Sequence, residues 1–66
     1  MTKIIKTVSN GHEEWVLDEE SALKKLLTMK HKMISIDGVR IYPDKISKSD
    51  IQDKVVLVQR DAVVIN

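Results

Sequence analysis

The sequence contains no cysteine and no phenylalanine, and only one proline, one tryptophan and one tyrosine in 66 residues. Without cysteine the chain forms no disulfide, has no thiolate metal site and carries no cysteine nucleophile. The absence of disulfides suits a reducing compartment. A chain this short buries only about 60% of the surface that its unfolded form exposes, so its stability is marginal and a binding partner often adds to it.

Neither sign of charge dominates, and no long apolar run is present. Eleven basic and ten acidic side chains give a formal net charge of +1, whereas proteins that coat nucleic acid or anionic membranes usually carry a clearer positive excess. No apolar run approaches the roughly 20 residues that span a bilayer, and the N-terminal segment lacks a signal-peptide pattern. We therefore expect a cytoplasmic protein that does not bind membranes, with one globular domain over residues 1–66.

A single segment, Asp18 to Lys32, has a sustained helical period. Its apolar residues recur at spacings of three and four, which places them on one face of a helix: Ala22, Leu23, Leu26, Leu27, Met29 and Met33. Asp18 fits the N-cap position, because its carboxylate can accept a hydrogen bond from an unpaired amide of the first turn. The pattern predicts a central helix whose apolar face is covered by the rest of the chain.

The segment before this helix has the pattern of a β-hairpin. Asn10-Gly11, the dipeptide preferred in a type I′ turn, lies between KIIKTVS and HEEWVL. A two-residue turn there pairs Ile4 with Leu17, unless a β-bulge shifts the register by one. One face of the hairpin then carries Ile4, Val8, Trp15 and Leu17, whereas Ile5 and Val16 lie on the opposite side. We expect Trp15 to belong to the core, since the chain has no phenylalanine to fill its volume.

A second type I′ signal, Asp37-Gly38, follows the helix. Pairing outward from this turn gives one purely apolar face, which we expect to pack against the helix: Ile34, Ile36, Val39 and Ile41. Arg40 and Tyr42 share the other face and point towards solvent or a partner.

The last third of the chain begins with Pro43, which ends the second hairpin. Ser49 and Gln52 fit a capping box and predict one helical turn at about residues 49 to 53. The final segment, KVVLVQRDAVVIN, has β-branched residues on both faces, as expected of a strand covered on two sides. Arg60-Asp61 could divide it into two short strands.

These elements predict an α+β fold: a single small ββαββ(β) domain with one helix packed on a mainly antiparallel sheet. The element order resembles that of the β-grasp superfamily, the ubiquitin-like fold, over nearly the whole chain. Ubiquitin-like modifiers and sulfur carriers end in Gly-Gly, whereas this sequence ends in Val63-Val64-Ile65-Asn66. The resemblance therefore implies a β-grasp-like order and not conjugation or sulfur transfer. A sheet whose last strand is exchanged between two protomers fits the same pattern.

No catalytic, cofactor or metal motif stands out. His12 and His31 are far apart in the sequence and have no HxxxH or HxH spacing. Glu13 and Glu14 are adjacent on a predicted strand and point to opposite faces, so they do not converge as acid and base. Both glycines are explained by hairpin turns, which leaves no phosphate loop. We expect a protein that is not an enzyme and binds no cofactor or metal.

Two binding functions remain. The leading hypothesis is a small non-enzymatic protein–protein interaction module, a regulator or inhibitor of the kind common in phages and mobile elements, which docks on a partner protein and can itself be a homodimer. Its predicted interaction residues are Arg40, Tyr42, Val63 and Ile65. The alternative is a small nucleic-acid-binding module that uses a basic face of the central helix: Lys24, Lys25, Lys30, His31 and Lys32.

Overall fold

The computed structural model describes residues 1–8 and 10–58. In chain order the elements are β1 (Thr2–Val8), β2 (Gly11–Leu17), α1 (Glu19–Leu27), β3 (Ile34–Ile36), β4 (Val39–Ile41), a 3₁₀ helix (Pro43–Lys45), α2 (Lys48–Ile51) and β5 (Val55–Val58). This order is the predicted one, with the 3₁₀ helix as an addition.

The five strands form one mixed sheet in the order β2-β1-β5-β3-β4. The pairs β1–β2, β3–β4 and β3–β5 are antiparallel, and β1 runs parallel to β5 at the centre of the sheet. The main helix, α1, packs against one face of this sheet. The predicted α+β fold, with one helix packed on a sheet, is confirmed.

The core lies between α1 and the face of the sheet that the helix covers. Its buried apolar residues come from the sheet and from both α-helices: Ile4, Ala22, Leu26, Ile34, Ile36, Ile51, Val56 and Val58. Thr2 is buried beside them, and its hydroxyl donates a hydrogen bond of 2.7 Å to the carbonyl of Ile51. This bond satisfies a buried hydroxyl and joins the start of β1 to the end of α2.

Helix α1 begins where the sequence predicts. Asp18 is the N-cap, and its Oδ1 accepts a hydrogen bond of 3.0 Å from the backbone N–H of Ser21. Hydrogen bonds from the side chain and the backbone of Ser21 hold the pKa of the Asp18 carboxyl below its usual value.

The predicted end of this helix, near Lys32, is wrong, because α1 ends at Leu27. Thr28 is the C-cap, and its hydroxyl donates a hydrogen bond of 2.6 Å to the Lys25 carbonyl. The apolar stripe is correspondingly shorter than predicted. Leu26 is fully buried, whereas the side chain of Leu27 is 42% exposed.

The first hairpin forms with a different register from the predicted one. Ile4 pairs with Trp15 instead of Leu17, and Gly11 belongs to β2 and pairs with Val8. The predicted Asn10-Gly11 turn is therefore wrong, and the register is shifted by two residues. A shift of two preserves the alternation of side chains, so Trp15 and Leu17 still pack against the core with Ile4.

The register of the second hairpin is confirmed: Ile34 pairs with Ile41, Ser35 with Arg40 and Ile36 with Val39. Asp37 and Gly38 both have positive φ, at 52° and 82°, as a type I′ turn requires. Its apolar face is only partly covered, however. Ile34 and Ile36 are buried, but Val39 is exposed because β4 is an edge strand.

The short helix α2 confirms the predicted helical turn but not its cap. The capping box consists of Ser47 and Asp50, in place of Ser49 and Gln52, and the Ser47 N–H donates a hydrogen bond of 2.7 Å to Asp50 Oδ2.

The described part of the final strand, β5, is covered on one side only. Val56 and Val58 are buried, whereas Val55 and Leu57 are exposed, so the predicted coverage of both faces is wrong here. The proposed break at Arg60-Asp61 lies outside the described residues.

Candidate interaction surface

The face of the sheet turned away from α1 carries the side chains that alternate with the core positions. We call this surface the open face and define it by eight residues: Lys3, Ile5, Glu14, Val16, Ser35, Arg40, Val55 and Leu57. Strand alternation places all eight on this face, together with Thr7 and His12 near the hairpin turn, because their neighbours along each strand point to the other face.

Strand register aligns five of these residues in one line across the sheet. Ile5 pairs with Glu14 on one side and with Leu57 on the other, and Ser35 pairs with both Leu57 and Arg40. We call the line Glu14-Ile5-Leu57-Ser35-Arg40 the central row. With strands about 4.8 Å apart, its two charged ends are separated by about 19 Å along the backbone.

The middle of the open face is apolar and accessible. On the central strand β5, Val55 is 49% exposed and Leu57 46%, and half-buried Ile5 lies next to Leu57 in the central row. Val16, on the edge strand β2 and separated from Val55 by Lys3, is 59% exposed. Single exposed apolar side chains are ordinary on protein surfaces, whereas adjacent ones are typical of interaction sites. The patch occupies the surface that α1 leaves uncovered.

Charge is distributed unevenly along the central row. At one end Glu14 makes an ion pair of 3.5 Å with Lys3 Nζ and a hydrogen bond of 3.1 Å with His12 Nε2. At the other end Arg40 is exposed, and within the described ranges 1–8 and 10–58 no ion pair engages it. In the described residues, the open face therefore has a carboxylate in contact with a lysine and a histidine at one margin, and a guanidinium without an ion pair at the other.

The predicted protein-interaction residues lie partly on this surface. Arg40 ends the central row, and Tyr42, just beyond β4, is exposed. Val63 and Ile65 lie outside the described residues. The sequence prediction did not include Val55 and Leu57, whose exposure depends on which side of β5 the helix covers.

The residues predicted to bind nucleic acid do not share one helix face. Lys24 and Lys25 belong to α1, whereas Lys30, His31 and Lys32 follow its end. Lys25 Nζ lies 4.0 Å from the centroid of the Trp15 ring, which is within the range of a cation–π contact. The ammonium group of Lys25 is thus engaged within the protein.

A shallow groove of about 310 Å³ lies on the other side of the sheet, beside the edge strand β4. Its lining is mainly apolar, with one base and one acid: Ile36, Val39, Ile41, Lys45, Ile46 and Asp50. This volume is at the low end of small-molecule sites, and the groove does not bring together an acid–base pair and a nucleophile.

Among the residues that the structure describes, no three histidine, aspartate or glutamate side chains are placed to hold a metal ion. Within the same ranges, none of the helices is long and apolar enough to cross a membrane.

No protein-family model matches the chain, and searches of curated proteins and of solved structures give no significant match. Its function is therefore inferred from the geometry of its own surfaces.

Proposed function

We propose that this protein is a small, non-enzymatic protein–protein interaction module, a cytoplasmic regulator or inhibitor that docks on a partner protein through its open face. The observation that carries the proposal is the pair of apolar side chains on the central strand of that face, Val55 and Leu57, both about half exposed, with half-buried Ile5 paired with Leu57. A protein this small gains stability by covering such a patch.

Burial of the open face against a partner contributes a modest favourable free energy. Complete burial of a large aliphatic side chain contributes about 1.5–3 kcal/mol, so covering the remaining half of Val16, Val55 and Leu57 contributes about 2–5 kcal/mol in total. Arg40 and Tyr42, at one margin, are residue types enriched at binding hot spots. Because association also costs translational and side-chain entropy, we expect a reversible complex.

The arrangement of strands supports the β-grasp-like order as part of this proposal. Two hairpins lie on either side of α1, and β5 lies between them in the sheet. In this arrangement one helix covers one face, and the other face stays available to a partner.

The test compares two leucine variants with similar exposure on opposite sides of the molecule. Leu57, on the open face, is 46% exposed, and Leu27, on α1, is 42% exposed. Wild type, Leu57→Lys and Leu27→Lys are each used to capture proteins from an extract of the host cells. We expect a stoichiometric protein partner with wild type and Leu27→Lys, and its loss with Leu57→Lys. Circular dichroism must show that all three are folded.

Equal capture by both variants would place the docking surface elsewhere. A wild-type protein that is monomeric and captures no protein would contradict the proposal. Co-purification with nucleic acid, with an affinity that falls steeply as salt rises, would favour the alternative function instead. That outcome would move the site to Lys24, Lys25, Lys30, His31 and Lys32.

A further inference from the structure

We propose that the open face binds a second copy of the same chain, in a two-fold symmetric dimer with the two sheets face to face. This inference rests on the proposed function, since it identifies the partner that the same surface takes. It is based on the central row, which has an acid at one end, a base at the other and an apolar residue at its midpoint.

A two-fold axis parallel to β5 and passing above Leu57 reverses the central row without displacing it along the strands. Leu57 then meets the partner's Leu57, and Ile5 meets the partner's Ser35. Glu14 meets the partner's Arg40, and by symmetry Arg40 meets the partner's Glu14. Each copy offers the same patch to the other, as an isologous interface requires.

The spacings agree with this arrangement. Glu14 and Arg40 each lie two strands from Leu57, about 10 Å on either side of it. A single axis above Leu57 therefore brings each Glu14 opposite the Arg40 of the other copy. Sheets that pack face to face are also about 10 Å apart, with their strands aligned within about 30°. A glutamate and an arginine side chain together span that gap.

The charges at both margins are accessible to a second copy. Arg40 makes no ion pair with any other residue in the described part of the chain. Glu14 already contacts Lys3 and His12, but all three side chains are more than 40% exposed, and a carboxylate has about four acceptor positions. Glu14 therefore keeps acceptor positions that the partner's Arg40 can reach.

The open face is small compared with the interfaces of stable dimers. Five strands about 4.8 Å apart, with 3 to 7 residues each, give a face about 24 Å wide and about 10–24 Å long. The projected area is then about 400 Å² per copy, about half of the roughly 800 Å² of a standard stable interface. We expect a weak, reversible dimer that dissociates at concentrations on the order of micromolar to millimolar.

Sedimentation equilibrium from about 1 µM to 1 mM tests the proposal through a charge exchange. The four proteins are wild type, Glu14→Arg, Arg40→Glu and the double variant carrying both changes. For wild type the mean mass should rise from 7.5 kDa towards twice that value. Each single change places like charges together at both symmetric contacts and should weaken the dimer about tenfold or more, whereas the double change should restore it to within about threefold.

A matched exchange on the helical side is the control. Glu20→Arg and Lys24→Glu alter two exposed residues of α1, far from the open face, and should leave the dimer unchanged singly and together. Thermal unfolding of every variant separates loss of folding from loss of association.

Three outcomes would overturn the inference. A dimer that is indifferent to Glu14→Arg and Arg40→Glu uses another surface. A wild-type protein that stays monomeric up to 1 mM, while Leu57→Lys still abolishes capture of a different protein, refutes the dimer and leaves the proposed function intact. Loss of association in both single variants without recovery in the double variant also contradicts the predicted pairing.

Discussion

Replacement of Leu26 by alanine should destabilise the protein far more than the same change at its neighbour Leu27. Both leucines belong to α1, but Leu26 is 0% exposed and Leu27 is 42% exposed. The comparison isolates burial, because the two substitutions have the same effect on helix propensity and remove the same atoms.

The magnitudes follow from these exposures. Leu→Ala removes three carbon atoms at about 0.8 kcal/mol each, or about 2.4 kcal/mol when all are buried. The cavity left beneath α1 adds to this, so Leu26→Ala should cost about 2–5 kcal/mol. At Leu27 about half of the transfer energy applies and water fills the space, so the cost should be about 1 kcal/mol. A domain of this size has about 3–10 kcal/mol of stability in total.

Urea denaturation, followed by far-ultraviolet circular dichroism and by the fluorescence of Trp15, measures both effects. We expect Leu26→Ala to have a much lower midpoint or to be unfolded in water, and Leu27→Ala to stay close to wild type. Trp15 suits this assay because it packs partly buried against the core. Equal midpoints for the two variants would refute the placement of α1 on the sheet.

Two further predictions concern hydrogen bonds at the ends of elements. Hydrogen bonds from Ser21 lower the pKa of Asp18 in the folded state. The stability that this cap contributes is therefore present above the unfolded-state pKa of about 3.9, and it is lost as the pH falls through the lower pKa of the folded state. Asp18→Asn keeps a capping oxygen but does not titrate, and its melting temperature should fall less than that of wild type between pH 6 and pH 2.5. Thr2→Val removes the hydroxyl that donates to the Ile51 carbonyl, but this carbonyl still accepts a hydrogen bond from the Lys54 N–H. The free energy of unfolding measured by urea denaturation should therefore fall by about 1 kcal/mol. Thr2→Ser should retain the hydrogen bond to Ile51.

The two hairpins show which parts of the sheet could be predicted from sequence. Asp37-Gly38 fixes the second hairpin locally, because the two adjacent positive-φ residues determine the turn and hence every pair that follows. Asn10-Gly11 carries a similar signal but does not form the turn, since Gly11 is already in β2. The alternation of apolar residues permits registers that differ by two, and in the structure β1 also pairs along its other edge with β5.

The end of α1 could not be predicted from periodicity. Apolar residues continue at helical spacing to Met29 and Met33, yet the helix ends at Leu27. The chain must then reach β3, on the far side of β5 from β1. That requirement depends on the order of strands in the sheet, which local sequence does not contain.

The open face was the least predictable feature, because its exposure depends on how many layers the domain has. Val55 to Val58 are all apolar, which is typical of a strand covered on both sides. In the described residues the main helix covers one side only, so the same sequence presents Val55 and Leu57 to solvent. Composition alone does not distinguish a missing layer from a layer supplied by another molecule.

The position of these residues in the sheet favours contact through the face over strand addition. A partner that added a strand would pair with β2 or β4, the two edges of the sheet. Such a partner would leave Val55 and Leu57 exposed, since β5 is central and both of its edges are already paired with β1 and β3. Apolar side chains on a central strand are covered only by a layer placed over the sheet. The sequence of β5 therefore suits a third layer, which a second copy of this chain would provide.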